Sequence, residues 1–530
     1  MRRLLALTAS ALLAMPAAAQ AHGLVGRRDL PVPSWLFAWA AAAVLLVSFV
    51  GLGALWHKAR LYKAPEHRVF RVPAWFEIPL GALGVALLGL TIVSGLFGVQ
   101  IDTANFAPTT FFVALWVGVP FASLIVGDLY AAINPLRALG RATGWLGSKL
   151  SGGNVPDALV MSERVGRWPA AVMLFAYAWV ELAFPGKTDP SQLAVVIIIF
   201  CLIQAVGMSL YGTDQWLQRA DPFTAWFSWV ATLAPLRWER GTLYLRWPTV
   251  GNAKRRAIAG DAAIVIVAIG TTTWDGLSGG DILGPPLANL SNDVAKLGIF
   301  GVTWSNAVVQ TFGMLIVVGL VTALIFAGVR GMIPASARRA AATRPSPDAP
   351  ADGSPSPAAD LDGAAPAGID GAAATATITR PSPAPADGET KPATRTGPPP
   401  VRRLVREFTP TLVPIGVAYT VGHYLSLLAF QGQAFLPLLS DPLGHELLPG
   451  QGGWLGTAQW TINYTWLTSN AIWYLQVAAL LIGHVMSLVL SHDRALERFP
   501  RKRAARSQRA MLVVAVVFTC TGLWLLSAVG

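Results

Sequence analysis

His423 lies inside an apolar run, "AYTVGHYLSLLAFQGQ" (residues 418–433), that ends on Gln431 and Gln433. An imidazole can exchange a proton, ligate a metal or donate to a neighbouring helix. Burying an ionisable ring among apolar residues is costly, so its presence marks a functional suspect. The plain alternative is one helix-packing hydrogen bond. The segment 431–469 contains no Lys or Arg, but it carries Asp441, His445 and Glu446, then Tyr464 and Trp466. A second stretch, "TTTWDGLSGG", brings Asp275 to the end of another apolar run.

Imidazoles and carboxylates that converge on one face suit proton transfer, a substrate mouth or a Zn or Cu site. We take His423, Asp275 and Asp441 as the candidates for chemistry, and Gln431, Gln433, His445 and Glu446 as the candidates for binding substrate. A divalent metal is the one cofactor this donor set would admit. No H-x-H or H-E-x-x-H spacing supports it, so the cofactor stays unknown. His22 would offer copper its amine, amide and ring if it became the mature N-terminus, yet some residue must follow any cleavage site.

A second polar set closes other runs. "GDLYAAINPLRALGR" carries Asp128, Asn134, Pro135 and Arg137, and Asn-Pro ends a helix because proline disfavours helical geometry in the preceding residue. Arg137 would then reach lipid headgroups. "GHVMSLVLSHDRAL" carries His484, His492, Asp493 and Arg494. The two histidines stand about 12 Å apart along a helix, too far to share one metal. His492 reads as a helix-end charge at the interface. There is no P-loop and no CxxC pair.

These residues need elements to hold them, and composition says which. The chain has 530 residues, 54% hydrophobic and 13% charged, with mean hydropathy +0.51. So few charges over this length point to lipid as the solvent. The net charge of +12 then marks cytoplasmic loops, and no nucleic-acid partner is expected. The N-terminus, "MRRLLALTASALLAMPAAAQA", has the basic, apolar and A-x-A order of a cleaved signal peptide over 1–21.

Ten apolar stretches follow, near 35–56, 76–98, 110–133, 168–184, 191–212, 257–274, 298–329, 408–430, 470–492 and 510–528. The fold class is therefore all-α, a polytopic transmembrane bundle of about ten spans. With the mature N-terminus outside, inner loops hold 34 of the 40 Lys and Arg, and outer segments hold 4. That asymmetry orients the chain in the cell membrane. The stretch 221–236 is too short to span, and reads as a helix in the inner interface with Trp226 and Trp229 at headgroup depth.

Residues 334–400, rich in Pro, Ala, Gly and Ser, cannot bury enough apolar surface to fold, and read as a disordered cytoplasmic linker. The linker separates a seven-span part (22–333) from a three-span part (401–530).

Together "AHGLVGRRDLPVPSWLF", "GDLYAAINPLRAL", "TTTWDGLSGG", "VGHYLSLLAFQGQAFLPLLSDPLG" and "GHVMSLVLSHDRAL" resemble a bacterial family of polytopic membrane proteins labelled fenitrothion hydrolase. The resemblance runs from residue 21 to about 500, linker excepted. It implies hydrolysis of an organophosphorus ester at an outward-facing polar site, and enzyme activity rests on it alone. The alternative from the residues themselves is a transporter or metal-handling protein using the same His/Asp/Gln cavity. The expected partners are the bilayer, a small-molecule substrate of unknown identity and a partner membrane subunit.

Overall fold

The computed structural model describes residues 34–154, 156–280, 282–333, 401–445 and 452–528. Residues 1–21, read above as a signal peptide, His22, residues 334–400, read as a linker, and Glu446 lie outside them. Helices dominate, and each of the ten apolar stretches is helical. They are α1 (Ser34–Leu55), α2 (Glu77–Phe97), α3 (Phe106–Val126), α4 (Trp168–Leu182), α5 (Pro190–Tyr211), α6 (Asp261–Ser278), α7 (Val302–Gly331), α8 (Val413–Phe430), α9 (Ser469–Arg498) and α10 (Arg501–Ala528). Among the described residues, seven helices are long and apolar enough to cross a membrane, and the apolar parts of α1 and α4 are shorter. Sequence neighbours run up and down between two ends. We call one the amide end, after Gln431 and Gln433, and the other the basic end. Helices after residue 400 pack among those before it, α8 against α6 and α10 against α1 and α7, in one compact unit.

α6 sits at the centre. Thirteen consecutive residues, Ile264 to Gly276, are buried, as expected for a helix enclosed on every side. Its threonines hide their hydroxyls by bonding one turn back, Thr271 to Val267 O at 2.8 Å and Thr273 to Ile269 O at 2.7 Å. α3 contains a π-helical stretch, Thr109–Gly118, a wide turn often found beside functional groups. It places Phe111 and Trp116 against the Tyr177 ring of α4, with centroids 5.4 and 4.6 Å away.

The basic end holds elements that the apolar pattern does not show. β1 (Glu66–Arg71), β2 (Leu236–Glu239) and β3 (Thr242–Arg246) form an antiparallel sheet in the order β1-β3-β2. Arg240 (φ 48) and Gly241 (φ 73) make the two-residue turn, the left-handed pair that matches strand twist in a tight hairpin. Glu66 ties the sheet down through Arg237 at 2.7 Å and Lys254 at 2.9 Å.

The helix Pro222–Val230 corrects the interfacial reading of 221–236. Trp226 and Trp229 are 1% and 0% exposed, so they face protein rather than lipid headgroups. Nine residues are too few to span, but every apolar side chain found a protein partner, and Trp229 Nε1 donates to Asp261 at 2.9 Å. His492 is likewise buried, with its ring on Trp56 O at 3.1 Å, instead of ending a helix at the surface.

Close helix contact depends on α2. A Cβ on Gly84 would stand 1.8 Å from Ile133 O, where the chain turns at Asn134-Pro135. Gly84→Ala should therefore lower stability by about 1–3 kcal/mol through overpacking, read as a fall in the thermal midpoint of the purified protein. Gly89, with nothing near its Cβ position, should tolerate alanine.

Candidate functional site

α6 delivers Asp275 one turn before its end at Ser278, and Trp274 locks that turn by donating to Gln310 of α7 at 2.8 Å. Asp275 therefore lies inside the bundle, 4% exposed. α8 brings His423 and Tyr424, 6% and 2% exposed, to the same depth. His423 Nε2 is 2.5 Å from Asp275 Oδ2. The two rings of α8 stand edge to face, 4.6 Å apart.

Tyr424 extends the set. Its hydroxyl lies 2.9 Å from Asp275 Oδ2 and 3.0 Å from Glu181 Oε1 of α4, and Glu181 is 6% exposed. A phenol has one proton and can donate it to only one carboxyl at a time. The other contact then needs a proton on the carboxyl. Tyr424 OH thus links Glu181 of α4 to Asp275 of α6, which His423 also meets. Lys187, in the connection after α4, donates to Leu182 O at 3.4 Å. Burial pulls its ammonium pKa down, while the Asp275 and Glu181 charges act against that pull.

Of the residues singled out in the sequence, the structure joins His423 to Asp275. The others are engaged elsewhere in the amide end. Gln431 Nε2 reaches Tyr464 OH at 3.4 Å, and Gln433 holds Ala429 O at 2.8 Å and Asn463 O at 3.1 Å. Gln431 stands eight residues past His423, about 12 Å along the helix. Asp441 caps the helix Phe435–Ser440 at its C-terminus, and His445 Nε2 meets Phe97 O at 3.3 Å. These bonds close loops over the ends of α2 and α8. Among the described residues, no three His, Cys, Asp or Glu side chains gather as a metal site.

Sequence reasoning missed Glu181 and Tyr424. Glu181 had a usable signal, being the acid inside the apolar stretch 168–184. Tyr424 had none beyond its place after His423.

The basic end carries a different kind of arrangement. Asp493 Oδ1 accepts from Trp56 Nε1 at 2.9 Å and Arg60 N at 2.7 Å, and Arg494 donates to Ala253 O at 2.8 Å. Asn134 bonds Asp221 and Thr224 at 3.3 and 3.1 Å, and Arg137 donates to Ala131 O at 2.9 Å. These groups satisfy chain ends and hold loops. No family model, curated protein or solved structure matches the chain.

Proposed function

We propose that this chain is a multi-pass protein of the cell membrane with its amide end outside, and that Glu181, Tyr424, Asp275 and His423 form its working site. The site takes up and releases a proton in step with a small solute or ion that the protein moves. One observation carries this reading. Two carboxyls share a single phenolic hydroxyl, with an imidazole against one of them. Such a set stores one proton in two nearly equivalent places, and buried acid–histidine chains are what proton-coupled membrane proteins use. The 34-to-4 distribution of Lys and Arg supports the orientation.

Infrared difference spectra of the protein in nanodiscs, taken across a pH titration, test the site. A protonated-carboxyl band should appear and should vanish in Glu181→Gln. Spectra that are superimposable for wild type, Glu181→Gln and Asp275→Asn would reject the reading. The orientation has its own check. Gln459→Cys should react with a membrane-impermeant thiol reagent in intact cells, and Ser148→Cys should react only after lysis.

The hydrolase reading draws on the same pair, since an imidazole oriented by a carboxylate is the base of many hydrolytic sites. Nδ1 of His423, the nitrogen turned from Asp275, would take a proton from water as the water oxygen bonds phosphorus and the phosphorus–aryloxide bond breaks. The resemblance to fenitrothion hydrolases supplies the substrate class. Release of nitrophenolate from a thiophosphate triester by the purified protein, lost in His423→Gln, would favour this reading. No release from wild type would remove it.

A further inference from the structure

α9 carries a polar stripe that the site does not use. Gln476, His484, Ser487 and Ser491 recur at helical spacing on one face and are all buried, between 0% and 2% exposed. On an ideal rise they cover about 22 Å, most of the roughly 30 Å of a bilayer core. Leu480 lies on the same face, against Gly422 of α8 and Gly522 of α10. The seam between these three helices is thus polar above and below one leucine.

The hydrogen-bond roles along the seam are fixed by chemistry. Gln476 Nε2 donates to Gly422 O at 2.7 Å, which is the residue before His423. His484 Nδ1 sits 2.6 Å from Leu480 O. A carbonyl only accepts, so Nδ1 carries the hydrogen and Nε2 presents a lone pair. Gln476 Oε1, His484 Nε2, Ser487 Oγ and, on α8, Ser426 Oγ have no protein partner among the described residues. Two of these atoms are pure acceptors and two are hydroxyls, so donors are in short supply. Buried polar groups at this depth must be satisfied, and water, with two donors, is the small molecule that fits the shortfall. Ser491 Oγ passes the line to Gln508 of α10 at 2.5 Å, beside the arginine-rich turn.

We propose that this seam is a proton path running from the His423 cluster to the basic end, built from ordered waters held by Gln476, His484 and Ser487, with Leu480 as its narrowest point. His484 accepts a proton at Nε2 from the water on one side and returns it from the same nitrogen to the water on the other, so its Nδ1–H bond is never broken. Its titratable neighbours are Tyr419 of α8, whose ring is 6.1 Å away and whose hydroxyl donates to Phe518 O, and Cys520 of α10, which bears on Tyr419. The proposal rests on the cluster exchanging protons, as argued above.

Proteoliposomes with an internal pH dye and an inside-negative potassium diffusion potential test it on the full chain. Wild type should acidify the lumen faster than protein-free vesicles. His484→Gln, which keeps an acceptor but cannot take a proton, should fall to the protein-free rate. Leu480→Ala should exceed wild type, a gain that misfolding cannot imitate if the leak is abolished by adding His484→Gln. Wild type no faster than empty vesicles, or His484→Gln as fast as wild type, overturns the path. If His484→Gln stops the flux while Asp275→Asn does not, the path stands and the working-site reading fails.

Discussion

His423→Leu should cost the folded protein about 1–3 kcal/mol, because it removes a polar partner from the buried Asp275 carboxyl. Asp275 is 4% exposed and has Tyr424 OH at 2.9 Å. The double change His423→Leu with Asp275→Asn should recover much of that loss, since the amide oxygen still accepts from Tyr424 and no charge remains. Tyr424→Phe should cost about 1–3 kcal/mol, the usual range for leaving buried polar groups without a partner. The measurement is a double-mutant cycle on thermal midpoints in nanodiscs. Losses that simply add would mean the two groups do not interact as a pair. Any assay of function on His423→Leu alone would mix lost chemistry with lost folding. His423→Gln, polar and of similar length, separates the two.

The helices were legible because hydropathy reports burial, whatever does the burying. The same property hides the difference between lipid and protein as neighbour. Pro222–Val230 shows this: an apolar run with two tryptophans looks interfacial in sequence, yet Trp226 and Trp229 face the bundle core. The sheet was illegible for another reason. β1 and β3 pair residues 171 to 180 positions apart, and both strands are short. At the site, His423 and Asp275 stood out as ionisable groups in apolar runs. Their convergence could be read only as a shared end of the bundle, because hydropathy sets depth and not rotation about the helix axis. Gln431 and Gln433 share that end too, but loop geometry turned them to Tyr464 and Asn463.

Asp261→Ala should be the most damaging single change at the opposite end of α6, again about 3–5 kcal/mol. Asp261 is fully buried at the start of the helix and accepts three hydrogen bonds on its two oxygens. Oδ1 takes Arg167 Nη1 at 2.7 Å and Trp229 Nε1 at 2.9 Å, while Oδ2 takes Ile258 N at 2.7 Å. Arg255 stacks on the far side of the Trp229 ring, its guanidinium 4.0 Å from the centroid. Burial and the nearby Arg167 pull the Arg255 pKa down to about 9, and Asp261 and Asp128 push it back up. Removing Asp261 therefore orphans an indole N–H and a backbone N–H and leaves two guanidiniums facing each other. Asp261→Asn keeps one acceptor oxygen and should cost about 1–3 kcal/mol. Arg167→Met should fall between wild type and Asp261→Ala, because Trp229 and Ile258 still hold the carboxylate. Thermal unfolding of the purified variants gives the order, and Asp261→Ala within about 1 kcal/mol of wild type would show that the cluster is not what anchors α6.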